Sequence, residues 1–175
     1  MNKQQKETLW TEVRSFFCYL AVTILVILFL ITFVIQRADV YGDSMEPALK
    51  DGDILLVDKL SYRFSEPKRF DIIVFSYRYQ KERYYTKRII GLPGETVQIK
   101  EGAVWINGKK LETDVSAELI RKAGRAEEMI TLGEDEYFVL GDNRNDSSDS
   151  RDTDVGNIKR DDIIGRIWFK IWPVG

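Results

Sequence analysis

Tyr84-Tyr85-Thr86-Lys87-Arg88-Ile89-Ile90 reads as one strand, stopped by Gly91-Leu92-Pro93-Gly94. Aromatic and β-branched residues favour extended backbone, and the Gly-Pro cluster ends it. Strand side chains alternate between faces, so Tyr85, Lys87 and Ile89 share one. An amine is thereby set between two large apolar groups. Burial disfavours the ammonium form and lowers a lysine pKa. A neutral lysine can take the proton of a hydroxyl. The ordinary alternative is a lysine whose stem packs on Tyr85 while its head reaches water.

Working outward, the chain beyond residue 37 is a series of short strands and turns. Asp51-Gly52-Asp53 turns into an apolar run, Ile54–Val57. Phe70–Tyr77 is a strand, and Arg78–Arg83 reads as a charged loop. Thr96–Ile99 and Val104–Ile106 suggest a hairpin, and Asn107-Gly108 is the strongest hairpin-turn signal in the chain. Residues 114–130, rich in Ala, Glu, Arg and Lys, predict a short helix or a mobile insert. Tyr137–Leu140 and Ile163–Trp172 are late strands. The expected fold is mostly β, preceded by one long apolar segment.

That segment is Phe16–Ile35, a stretch of 20 residues without a charge. A helix of that length spans the hydrocarbon core of a bilayer. A removable signal peptide has a shorter apolar core and a small-residue cleavage site, whereas here Gln36-Arg37-Ala38-Asp39 follows. The expected organisation is a tail over 1–15, a transmembrane anchor over 16–36 and a β-rich domain over 37–175. Lys3, Lys6 and Arg14 precede the span and Arg37 follows it, a bias toward a cytoplasmic N-terminus and an extracytoplasmic domain.

Composition then limits the chemistry. The chain of 175 residues carries no histidine. Ser-His-Asp triads, Cys-His pairs and imidazole-ligated zinc are excluded. The single cysteine, Cys18, lies in the apolar segment and makes no internal disulfide. The formal net charge of −2 offers nothing to nucleic acid. A serine nucleophile would have to draw its base from a lysine or a carboxylate.

Such a serine stands just after the anchor, in Tyr41-Gly42-Asp43-Ser44-Met45-Glu46-Pro47. Pro47 steers Glu46 away from helix, and Gly42 opens backbone angles closed to other residues. Ser44 therefore belongs on a turn, although serine and glycine are also ordinary turn residues. A third cluster, Gly141-Asp142-Asn143-Arg144-Asn145-Asp146-Ser147-Ser148-Asp149-Ser150-Arg151, alternates acids with arginines. It reads as a solvated loop or a fixed polar network. Its acids lack the EF-hand spacing of a calcium loop.

Four stretches, in order, resemble the conserved boxes of type I signal peptidases. They are Gly42–Pro47, Gly52–Lys59, Lys87–Glu95 and Gly141–Arg151. The resemblance implies a membrane-anchored serine endopeptidase with Ser44 as nucleophile and Lys87 as general base. It places Ser147 where a hydroxyl orients the lysine, and Asp149 and Arg151 where a supporting ion pair stands, with Asp142 in the same box. Met45 falls near the pocket for the residue before the cut. Gly42 replaces a serine that many members use as an oxyanion donor, which resembles the Gram-positive branch and leaves only backbone there. Ala48 and Glu95 depart from a common threonine and a common aspartate. The implied substrates are exported preproteins with small residues at the first and third positions before the cut. The implied surroundings are membrane lipid and the secretion machinery, and no metal, nucleotide or nucleic acid is required. Two rivals share these features: a membrane-tethered β domain that binds without catalysis, and a self-cleaving repressor-type serine–lysine domain, which would carry a DNA-binding module where this chain has its anchor.

Overall fold

The computed structural model of the chain describes residues 3–116 and 118–172. Among the described residues a single α-helix, α1 (Lys3–Phe29), continues through a π turn over Leu30–Val34. It begins well before the expected anchor, inside the segment read as a tail. Trp10–Val34 is long and apolar enough to cross a membrane, and none of it is buried against the rest of the chain. A core helix of a soluble domain would be covered; this one offers its apolar surface to the surroundings, as an anchor does.

The remainder is β structure in two antiparallel sheets. The large sheet contains β1 (Ile35–Asp39), β2 (Ile54–Asp58), β3 (Ile72–Tyr77), β4 (Gln80–Gly91), β9 (Glu136–Leu140), β10 (Ile158–Lys159) and β11 (Ile163–Trp172). The small sheet contains β5 (Thr96–Lys100), β6 (Ala103–Ile106), β7 (Lys109–Lys110) and β8 (Ile130–Thr131). Strand order is β1-β2-β11-β3-β4-β9-β10 in the large sheet and β7-β6-β5-β8 in the small one. Asn107 and Gly108 both take positive φ, 50° and 74°, as the turn between β6 and β7 requires.

β9 shows how the core is divided. Tyr137 and Val139 pack with Ile73, Phe75 and Ile89, whereas Phe138 and Leu140 pack with Ile90, Val97 and Val104 between the sheets. A strand buried on both faces reads as a continuous apolar run, which Tyr137-Phe138-Val139-Leu140 is. Strand alternation sends the successive isoleucines of β4, Ile89 and Ile90, into different cores.

Two expectations are corrected. Arg78–Arg83 is not a loop: only Arg78 and Tyr79 turn, and β4 begins at Gln80 and pairs with β3. Cross-strand pairing with Tyr77 overrides the polar composition of the segment. Among the described residues of 114–130 there is no α-helix, only a 3-10 turn over Gly124–Glu127 and the short β8. Helix propensity is a weak prior, and tertiary partners take this backbone instead. Ile120 N–H donates to the Gly102 carbonyl at 2.9 Å, and Arg121 N–H to Asn145 Oδ1 at 2.9 Å. Asn145 Nδ2 and Arg151 Nη1 donate to the Leu119 and Lys122 carbonyls. The segment is a strap bound to the 141–151 loop.

The strap's strongest tie is the fork between Arg144 and Asp114. Arg144 Nη1 lies 2.6 Å from Asp114 Oδ2, and Nη2 bonds Oδ1. The Arg144 side chain is 1% exposed. Removing one partner of a buried pair strands a charge, at a cost of about 3–5 kcal/mol. Asp114→Ala should therefore lower the unfolding free energy by that amount, read as a lower urea midpoint at unchanged m. A loss under about 1 kcal/mol would show that the strap is peripheral to stability.

Candidate active site

The turn after β1 carries Ser44. Gly42 takes φ 76°, a conformation that L side chains rarely adopt. Its N–H donates to Asp51 Oδ1 at 2.7 Å. Glu46 N–H then closes on the Asp43 carbonyl at 3.0 Å, and Leu49 N–H on the Met45 carbonyl at 2.9 Å. Met45, 1% exposed, packs with Val40, Leu49 and Leu55 and pins the turn to the sheet.

Lys87 reaches this turn from β4. Its Nζ donates to Ser44 Oγ at 2.7 Å and to the Thr86 carbonyl at 3.1 Å. The residue is 5% exposed, stands opposite Ile73 in the β3–β4 ladder and has its Nζ 5.6 Å from the Tyr85 ring centroid. Burial pulls its pKa down from the usual lysine value to about 8, against the opposing charges of Asp149 and Asp142. Strand parity thus delivers the apolar surroundings expected of it, while the two carboxylates come from a loop that parity in β4 does not reveal.

That loop is locked. Asp149 is fully buried; its carboxylate takes Arg151 Nε and Nη2 at 2.8 Å each and the Gly141 N–H at 3.0 Å. Asp142 takes Arg88 Nε at 2.7 Å and Nη2 at 2.5 Å. Arg88 follows Lys87 and faces away from it, so adjacent residues of one strand serve the amine and its counter-network. Asn143 N–H donates to the Ser44 carbonyl at 3.1 Å. A Cβ on Gly141 would collide with Ser147 Oγ and the Ser44 carbonyl oxygen, so glycine is what permits the approach. Among the described residues Ser147 Oγ, buried there, has no hydrogen-bond partner and makes no bond to Lys87.

Ser44, Met45 and Lys87 sit on a groove of about 600 Å³, walled by Gln36–Tyr41 on one side and Glu82–Thr86 on the other. Both walls are strand edges. β1 ends the large sheet, and β4 pairs with β9 only from Arg88 onward. Val40 bonds the β2 side, accepting from Gly52 N–H and donating to the Asp53 carbonyl. By the alternation of an antiparallel ladder, Arg37 and Asp39 turn their N–H and C=O groups the other way, toward the groove. Asp51, Arg88 and the Thr86 carbonyl were not singled out in the sequence. The Lys50-Asp51-Gly52 turn sat in view, but nothing in it announced a bond to Gly42.

A turn serine bonded to a buried amine thus stands at the edge of an open groove, and the sequence model of the family described as "Signal peptidase, peptidase S26" matches residues 13–172. The chain belongs to that family and is a serine endopeptidase. It is 39% identical over 163 residues to a signal peptidase I of Bacillus caldolyticus, covering 87% of each chain. It is 37% identical over 149 residues to a probable signal peptidase I-2 of Synechocystis sp., covering 82% of this chain and 66% of that protein. A solved signal peptidase I of Enterococcus faecalis V583 is similar at a TM-score of 0.47 and 33% identity, over 58% of this chain and 97% of that one.

The buried amine carries a stability signature of its own. The unfolded chain binds a proton at Lys87 up to about pH 10.5, and the folded chain releases it above about pH 8. Folding is therefore penalised fully below pH 8, and the penalty disappears as pH rises to 10.5. The shift corresponds to on the order of 3 kcal/mol. In paired urea titrations, the stability of Lys87→Met relative to the wild type should fall by about that amount between pH 8 and 10.5. A pH-independent difference would mean that the amine is solvated.

Proposed function

We propose that this endopeptidase cleaves signal peptides from exported preproteins at the outer face of the cytoplasmic membrane, with Ser44 as nucleophile and Lys87 as general base. The observation that carries the reading is the 2.7 Å contact between Lys87 Nζ and Ser44 Oγ on a groove bounded by two free strand edges. Neutral Lys87 takes the hydroxyl proton as Ser44 Oγ attacks the scissile carbonyl carbon. The resulting ammonium protonates the leaving amine, and an acyl-enzyme remains. Lys87 then takes a proton from water, whose oxygen attacks the ester carbonyl, and returns that proton to Ser44 Oγ as the acid product leaves.

The tetrahedral oxyanion requires donors. Among the described residues the Ser44 N–H has no acceptor, so it is free for this task. The Gly42 N–H is held by Asp51 and serves to set the turn. The substrate adds as an extended strand between β1 and β4, and alternate side chains enter the groove. Met45 and Val40, both buried, stand under the first of these pockets and favour small residues there. Asp149–Arg151 and Asp142–Arg88 hold the loop behind the lysine, and Ser147 lies within it. The apolar helix keeps the groove at the bilayer, where the apolar segment of the substrate is held. The positive residues ahead of it put the N-terminus in the cytoplasm.

Ser44→Ala should lower kcat/KM on a preprotein by several orders of magnitude with the β spectrum intact, as loss of a triad-type nucleophile does. Retention of more than about a per cent of activity would remove Ser44 from the chemistry. The wild-type rate should rise with pH along one ionisation centred near pH 8, since the neutral amine is the active form. Lys87→Arg should be inactive throughout, because guanidinium stays protonated. An active arginine variant, or an ascending limb at the solvated-lysine value, would assign the base elsewhere.

A further inference from the structure

The apolar helix does not end in a linker. Ile35 N–H closes the π turn on the Leu30 carbonyl, and the next residue, Gln36, already lines the groove. A helix end leaves carbonyls without intrahelical donors. Two of these are met from the β domain by one residue. Lys59 N–H donates to the Val34 carbonyl at 2.9 Å, and Lys59 Nζ to the Thr32 carbonyl at 3.1 Å. Its ammonium also opposes the partial negative charge of the helix C-terminus. Lys59 follows Asp58, the partner of Ile35 in the β1–β2 ladder, so the helix end is tied on both sides of the junction.

We propose that Lys59 is a positioning residue that clamps the apolar helix to the groove wall and thereby sets how far from the bilayer a signal peptide is cut. The inference rests on the signal-peptide reading above and adds a length criterion to it. A bound preprotein has its apolar segment in the bilayer and its cut site beside Ser44. The residues between must run alongside β1, whose five residues rise by about 13 Å at about 3.3 Å per step. With a stiff joint only a connecting segment of matching length reaches Ser44 in register. With a loose joint the domain tilts and admits longer ones.

The test uses the full-length enzyme in phosphatidylethanolamine–phosphatidylglycerol vesicles. Its substrates are preproteins whose segment between apolar core and cut site is native in length or extended by about two or four residues. A soluble peptide with the same cut site is assayed in parallel. The wild type should prefer the native length. Lys59→Met should lower that preference by about tenfold, the factor that one hydrogen bond from a charged donor is worth, while cutting the soluble peptide at the wild-type rate. Lys59→Arg keeps a donor and should keep the preference. A Gly-Ser insertion between Val34 and Ile35 loosens the same joint without touching the β domain, and should behave as Lys59→Met does. Unchanged length preference in Lys59→Met and the insertion overturns the clamp, as does a parallel fall on soluble and membrane-held substrates. A wild-type enzyme that cuts neither the vesicle-held preproteins nor the soluble peptide overturns the signal-peptide reading itself, and the clamp with it.

Discussion

Lys87 can act as a base only if two carboxylates beside it are kept from charging it. Burial lowers its pKa, while Asp149 and Asp142 raise it. An isolated buried carboxylate would pair with the amine and hold it as ammonium. Each aspartate here is engaged by its own arginine, Arg151 and Arg88, with a hydrogen bond to each carboxylate oxygen. Their negative charge is spent locally. What reaches Lys87 is a residue of attraction too small to offset desolvation, and the amine's pKa settles at about 8, where the proposed base role needs it.

The same loop supplies rigidity. Ser44 and Lys87 come from distant parts of the chain, and one contact between side chains does not fix their geometry. The 141–151 loop lies against both. Its Asn143 N–H holds the Ser44 carbonyl, its Gly141 lets the two backbones approach, and its aspartates grip β4 through Arg88 and the loop itself through Arg151. The 114–130 strap binds the loop from the outer side through Arg144 and Asn145. Support for the site thus extends outward to a segment with no catalytic group.

Much of this was legible in short stretches. The parity of Tyr85, Lys87 and Ile89 predicts a buried lysine because a strand has a fixed period of two. Gly42 and Pro47 predict a turn at Ser44 because their backbone angles are restricted or special. The four boxes resemble a family to which the chain belongs. Elsewhere local signals fail for physical reasons. The strap has helix-forming composition, but its partners lie far along the chain, and no local pattern encodes Asp114 meeting Arg144. β4 starts early because Gln80 pairs with Tyr77, a cross-strand gain that outweighs charge. β1 lies across the boundary at residue 36 expected between the anchor and the β-rich domain. Gln36-Arg37-Ala38-Asp39 has no strand signature because only one side of it is paired.

That half-paired strand raises a last point of stability against function. An open strand edge is a template for pairing with another chain, and proteins normally blunt it with charge, twist or cover. This domain cannot cover the β1 edge or the free half of β4 if a peptide is to add there. It instead turns both edges into one groove, where the approach of each is limited by the other. Arg37 and Asp39, joined at 2.8 Å, flank the opening with opposite charges. A single extended peptide enters such a groove more readily than the edge of a folded sheet does. Concavity therefore separates the pairing that catalysis needs from the pairing that would lead to aggregation, and it does so without closing the site.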